Sequence, residues 1–145
     1  MNMGDHMREL KAGRVEPAPV CRLLGIEILK LDPPGTAVLA MNTDSRFHNP
    51  MGTVEGGILG DLADLAMGHA FGTTLQGQES FTTLEMKINF LRPVWEGRLS
   101  ATATVMHRGQ TMGLVECAVV NADGKLVAKA SSTVLILHGE AAAGR

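Results

Sequence analysis

The sequence predicts a single α+β domain, a curved antiparallel sheet holding one long helix. Three observations lead there. One stretch, roughly Glu55 to Thr74, repeats its apolar residues with a helical period. After Gly77 the chain carries the alternating period of strands, broken by turn signals, as far as Leu137. The whole chain has 145 residues, which fits one domain and is long enough to bury a real core.

The elements follow in order. Met1 to Glu16 is polar and mixed in charge, and Gly139 to Arg145 is small and polar, so residues 1–16 and 139–145 are expected as flexible ends around a domain at 17–138. Pro17-Ala18-Pro19 opens a short helix that Gly25 closes. Ile26 to Leu31 and Thr36 to Met41 form a hairpin about Asp32-Pro33-Pro34-Gly35. A loop from Asn42 to Val54 leads into the long helix. Four strands then follow, Phe81 to Leu91, Gly97 to His107, Thr111 to Asn121 and Lys125 to Leu137, giving the order β-β-α-β-β-β-β. In the second of these, Leu99, Ala101, Ala103 and Val105 alternate with Ser100, Thr102 and Thr104.

Composition removes several classes of function. The net charge is −2 and no Lys/Arg block occurs, which argues against nucleic acid or an anionic membrane as partner. Tyr is absent and Trp95 is the sole Trp, so no aromatic platform for stacking bases is present. Cys21 and Cys117 stand far apart with no CxxC, and no apolar run reaches spanning length; a reducing, cytoplasmic setting is expected. The histidines have no ligand spacing, so no metal is expected, and no GxSxG marks a serine hydrolase.

The long helix carries the chemistry. Ile58, Leu59, Leu62, Leu65, Ala66 and Ala70 fall on one stripe that should face the sheet, with His69 among them as a satisfied core or helix-end histidine. Gly57, Gly60, Asp61, Asp64 and Gly68 cluster on the other side. Interior glycines at Gly57, Gly60 and Gly68 forfeit about 1.5–3 kcal/mol together. Close approach by another backbone, a second subunit or a ligand must offset that loss. Gly56 and Gly57 sit where helix-start N–H groups lack intrahelical partners, ready to donate to an oxygen that gathers negative charge. Asp64 lies about 12 Å further along by helical rise. A symmetric dimer would bring one chain's helix start to the other's Asp64.

The stretch His48-Asn49-Pro50-Met51-Gly52-Thr53-Val54-Glu55-Gly56-Gly57-Ile58-Leu59-Gly60-Asp61-Leu62-Ala63-Asp64 resembles the hotdog-fold acyl-CoA thioesterases, in particular the phenylacetate-pathway type. Thr82 to Pro93, Arg108-Gly109 and Asp123-Gly124-Lys125 extend the likeness over about Gly25 to Leu137. The resemblance implies a hotdog fold and hydrolysis of acyl-CoA to free acid and coenzyme A. Asp64 would be the nucleophile or general base, and the Gly56 N–H would polarise the carbonyl. Asn49 would orient water or substrate, and Thr83 would stand near the attacking water. Glu55, Gly57, Asp61, Thr82, Arg92, Arg108 and Gly109 would line the substrate site. Arg92, Arg108 and Lys87 are candidates for the phosphates, although each alone reads equally as a solvated strand end. No separate cofactor is implied, since coenzyme A is part of the substrate. The active sites would be shared within a homodimer, paired into a homotetramer.

Glu55 departs from the family, which has His there. A carboxylate suits a helix start and can point away as a bystander; placed inward, it opposes an oxyanion and raises the pKa of Asp64. A non-catalytic acyl-CoA-binding or sensing protein on the same fold is therefore the alternative. Met51, Met67, Met86, Met106 and Met112 could line an acyl pocket or simply fill the core.

Overall fold

The computed structural model describes all residues from Met1 to Arg145. Its six strands, all antiparallel, form one sheet in the order β1-β2-β4-β5-β6-β3, with one long helix packed on a single face. The strands are β1 (Glu27–Lys30), β2 (Thr36–Thr43), β3 (Ser80–Phe90), β4 (Gly97–Arg108), β5 (Met112–Val120) and β6 (Leu126–Leu137). The helices are α1 (Met3–Lys11), α2 (Pro19–Leu24) and α3 (Gly56–Gly72). This is the hotdog arrangement, in the element order expected from the sequence, with α1 added.

Local chemistry explains each join. Pro19 opens α2, and Gly25 ends it at φ 68°, a left-handed value that glycine adopts without strain. At the β5–β6 turn, Asn121 Oδ1 accepts from the N–H groups of Asp123 and Lys125. Inward positions are small or branched. Ala37, Leu39 and Met41 of β2, Leu99, Ala101 and Ala103 of β4, and Val115, Cys117 and Val119 of β5 are all buried. Thr102 and Thr104 of β4 stay exposed, so the period-two alternation is real.

Leu59, Leu62, Ala66 and Ala70 of the expected stripe are buried, whereas Ile58 and Leu65 are only half-buried. Ala63, Met67 and Phe71 are buried as well, because sheet, β3 and α1 surround the helix on more than one side. Phe71 meets Phe81 edge-to-face at 5.2 Å between ring centres.

Where the sequence suggested a frayed start, Met3–Lys11 is a helix. Asn2 Oδ1 caps it by accepting from the Asp5 N–H at 2.8 Å. Met7 is buried and lies where Gly72 lacks a Cβ. The tail is tied too: the Met3 N–H donates to the Arg145 carbonyl at 3.1 Å, and Ala142 is buried. Met3, Met7 and Leu10 repeat at helical spacing behind the Asn2 cap, so α1 was readable in the sequence despite its polar, charged composition.

Gly113 on β5 has a packing duty. A Cβ there would stand 2.2 Å from Phe71 Cε2 and 3.0 Å from Val134 Cγ2. Gly113→Ala should lower stability by about 1–3 kcal/mol in urea unfolding, because neither buried neighbour can retreat without strain.

Candidate active site

The site is organised by a row of α3 that runs every fourth residue: Gly56, Gly60, Asp64, Gly68, Gly72. Residues four apart are neighbours on a helix surface. This row lies under β3 and α1. Phe90 sits over Gly56, Met86 over Gly60, Phe81 beside Gly68, and Met7 over Gly72. Asp64 is the only side chain longer than hydrogen in the row.

The row also answers why the helix carries glycines. A Cβ on Gly56 would come within 2.9 Å of Phe90 Cζ, and on Gly72 within 2.7 Å of Met7 Cγ. At Gly60 and Gly68 the nearest atom would be 3.7 Å away, and at Gly57 nothing lies within 4 Å. Contacts inside the chain therefore demand glycine at two positions and leave three open toward surface or cavity. Gly57 is exposed and outside the row, a difference from the cluster drawn by simple helical projection.

β3 is the last strand of the sheet and stands over α3 only loosely. Two hollows remain along the gap. One, of about 360 Å³, is bounded by Asn49, Gly56, Phe90 and Arg92. The other, of about 210 Å³, holds Asp64, Gly68, His69, Phe81 and Thr83. The β3–β6 register slips between Thr83 and Glu85. That irregularity puts Phe81 and Thr83 on the helix-facing side before it and Met86 and Phe90 on the same side after it, so Leu84 is spare and exposed.

At the first hollow, Glu55 is the N-cap residue, but its side chain makes no cap hydrogen bond and is exposed. The N–H groups of Gly56 and Gly57 have no hydrogen-bond partner within the chain. Asn49 is occupied in holding the loop: its Oδ1 accepts from the Met51 N–H at 2.9 Å and the Thr53 N–H at 3.2 Å, and its Nδ2 donates to Thr53 Oγ1 at 3.0 Å. Its evident duty is to shape the turn that presents the helix start. Arg92 is exposed beside this hollow and forms no ion pair.

Asp64 is exposed in the lone chain, yet its carboxyl lies against the apolar wall of the second hollow. That desolvation, and then the negative charge of exposed Asp61, pushes its pKa above the ordinary 3.8. Thr83 shares the hollow; Thr82, one residue away on the strand, does not line it. His69 is 9% exposed, and its Nδ1 is 2.7 Å from the Leu65 carbonyl, as expected of a satisfied helix histidine, but it also lines this hollow.

Arg108 is committed elsewhere. It pairs with Glu79, donates to the Gly109 carbonyl at 2.6 Å and lies 5.9 Å from the Phe71 ring centre. Its charge is thus already balanced by a carboxylate, which weakens it as a phosphate ligand. Lys87 forms no ion pair, while Glu85 accepts from Thr133 Oγ1 at 2.8 Å. Of the methionines considered, Met67 is in the core, Met86 covers Gly60, and Met51, Met106 and Met112 are exposed. Sequence reasoning missed Met3, His6, Met7 and Phe81 at the Asp64 hollow; Phe81 was findable from strand parity and Met3 and Met7 from their helical spacing with Leu10, but His6 from no local signal. A further hollow of about 530 Å³ between α1 and β1, near Lys11 and Asp32, holds no pairing of carboxylate with free N–H donors. No three His, Cys, Asp or Glu side chains gather closely enough to hold a metal ion, and Cys21 and Cys117 are free and buried.

A hotdog sheet thus carries, on one helix, a start with free N–H groups and a partly desolvated aspartate. The thioesterase superfamily model matches residues 51–128. The chain belongs to the thioesterase superfamily and is by class a thioester hydrolase. It is 36% identical over 108 residues to the acyl-coenzyme A thioesterase PaaI of Escherichia coli, covering 74% of each chain. It is 27% identical over 134 residues to human acyl-coenzyme A thioesterase 13, covering 91% of this chain and 95% of that one. Among solved structures, the E. coli PaaI protein superposes with a TM-score of 0.81 at 28% identity, covering 94% of this chain and 95% of that one.

Asp64 also makes a stability prediction with a definite sign. A carboxyl that binds its proton more tightly when folded weakens the fold as pH rises through the raised value. Asp64→Asn should therefore melt higher than the unaltered chain at pH 7, and the gap should close as the pH falls below 3.8. Thermal melts of both proteins from pH 3 to pH 8 (roughly that span) check this.

Proposed function

We propose that the chain hydrolyses acyl-CoA thioesters to free acid and coenzyme A at a site built by two copies of the chain. One observation carries the reading. The unpartnered Gly56 N–H and the Asp64 carboxyl occupy separate hollows of one chain, about 12 Å apart by helical rise. Reacting groups must come within about 3–3.5 Å, so one thioester cannot use both groups of a single chain. A two-fold partner joined along the β3 edge would set the helix start of one copy against the Asp64 of the other. β3 is a long edge strand with Leu84, Met86 and Phe90 exposed, a surface that stays monomeric only with difficulty.

In that site the Gly56 N–H polarises the thioester carbonyl and the helix dipole assists it. As general base, Asp64 takes a proton from water while the water oxygen attacks the carbonyl carbon; the C–S bond then breaks and Asp64 passes the proton to the thiolate. As nucleophile, its carboxylate attacks the carbonyl carbon and the C–S bond breaks to give a mixed anhydride and the thiolate; water then hydrolyses the anhydride, releasing the acid, restoring the carboxylate and supplying the thiol proton. Thr83 stands beside the attacking water. Arg92, unpaired at the Gly56 hollow, meets the phosphates. No separate cofactor enters. The named activities of E. coli PaaI and human acyl-coenzyme A thioesterase 13 support acyl-CoA as substrate. No helix is long and apolar enough to cross a membrane, and acyl-CoA is a water-soluble ligand, which suits a cytoplasmic enzyme.

Glu55 keeps a second reading in view, an acyl-CoA binder without turnover. Its exposed side chain, uncommitted to the helix cap, supports the bystander role and hence hydrolysis.

The test is thiol release from a panel of acyl-CoAs. Asp64→Asn should lose about 10²–10⁴ in kcat. Gly56→Pro, made in a Phe90→Ala background because its Cβ would stand 2.9 Å from Phe90 Cζ, should lose about 10²–10³ relative to Phe90→Ala alone, because proline at a first helical position removes an N–H that the helix does not use. Glu55 at φ −58° and ψ 134° already has the backbone a following proline needs. Mixed dimers of the two variants should regain activity, since one of their two sites is intact. Sedimentation should give two or four chains per particle. Tight binding with no release across the panel would favour the binder, and two inactive variants that fail to complement would remove the shared site.

A further inference from the structure

The hollow behind Asp64 has an end wall and a polar atom that the hydrolysis reaction does not use. The wall is α1. Met3, His6 and Met7 face the hollow opposite Gly68 and His69. α1 is fixed in place: its start is capped, Met7 is only 4% exposed and fills the space that Gly72 leaves, and Met3 is tied to the Arg145 carbonyl. At about 210 Å³ the hollow is smaller than the ~300–1,000 Å³ of ordinary small-molecule pockets. A short acyl group fits such a space.

The polar atom is His69 Nε2. The Leu65 carbonyl can only accept, so the 2.7 Å contact places the ring proton on Nδ1. Burial pushes the imidazole pKa down and keeps the ring neutral. Nε2 is then a lone-pair acceptor. It has no partner in the chain, yet no side-chain nitrogen or oxygen of the protein is both sealed off and unpaired. For a residue 91% buried, the remaining opening is the hollow it lines.

We propose that α1 and His69 set the acyl specificity: α1 limits the length of the acyl group, and His69 Nε2 accepts a hydrogen bond from a hydroxyl at its far end. This rests on the acyl-CoA reading above. Asp64 and His69 are five residues apart, about 7.5 Å of helical rise, so the hydroxyl belongs several bonds from the reacting carbonyl. Gly68, between them, is explained at the same time. A Cβ there would meet only Phe81 Cζ at 3.7 Å, so the missing methyl makes room for a ligand rather than for the chain.

The experiment compares hexanoyl-CoA, 6-hydroxyhexanoyl-CoA and decanoyl-CoA, read as kcat/KM with the active chain and as dissociation constants with Asp64→Asn. The 6-hydroxyhexanoyl thioester should be preferred to hexanoyl by about tenfold. His69→Phe should abolish that ratio, and His69→Gln, which keeps an acceptor, should restore part of it. Met7→Ala should improve decanoyl-CoA by about fourfold for each methylene newly admitted. Gly68→Ala strengthens the helix and leaves α1 docked, so it decides the matter should Met7→Ala unfold; it should weaken hexanoyl against acetyl-CoA. A hydroxyl ratio equal in the unaltered chain and His69→Phe, or a length profile unmoved by Gly68→Ala, overturns the proposal. Absence of turnover alone counts against hydrolysis, because the dissociation constants still decide the specificity.

Discussion

The packing of β3 against one row of α3 sets the terms for the rest of the molecule. Phe90 of the edge strand lies over the start of α3, and Met7 of α1 over its end, because Gly56 and Gly72 have no Cβ in the way, while Met86 and Phe81 stand over Gly60 and Gly68 with room to spare. The repeat Gly56-Gly60-Asp64-Gly68-Gly72 provides this, and helix propensity is lost to provide it. The gap under β3 is thereby kept open at two places, and the one carboxylate in the row is delivered into one of them. A helix with alanine or leucine along the same row would be more stable alone and would close the gap.

The same arrangement governs the electrostatics. At its start, α3 offers N–H groups whose hydrogen bonds are unmade, and the Asn49 turn presents them without using them. Two turns on, the Asp64 carboxyl sits against apolar walls beside Asp61 and holds its proton more tightly than a solvated aspartate. The acceptor that needs a proton and the donors that need an anion are thus kept apart within one chain. In the proposed reading a second copy, joined through the exposed β3 edge, completes the arrangement. The Arg108–Glu79 pair does a different job, closing the ends of β4 and β3 over Phe71.

Much of this was legible in the residues. Every strand of the sheet, the long helix and the glycine that ends α2 follow from periodicity and turn chemistry, because alternation and capping are local properties. Asp64, Gly56, Asn49 and Thr83 were singled out, and all four border one of the two hollows. Other features were not legible. Asn49 turned out to hold its own loop, Arg108 to be spent on Glu79, and Gly57 to lie outside the row. α1 and the role of His69 in the hollow escaped notice: Met3, Met7 and Leu10 do repeat at helical spacing, but over only nine mostly polar residues, and a lone histidine has no spacing to read.

The amino-acid sequence by itself determined the elements, their order and the presence of a glycine-flanked aspartate on a helix, since each depends on residues within a few positions of one another. Only the tertiary structure decided what covers that row. The meeting of Phe90 with Gly56, Phe81 with Gly68 and Met7 with Gly72 joins residues from 13 to 65 positions apart. Such contacts are set by how the sheet curves and where its edge falls, not by any local pattern. The glycines and Asp64 were visible from the start as a conspicuous group; that they floor two separate hollows under one exposed strand is a property of the fold.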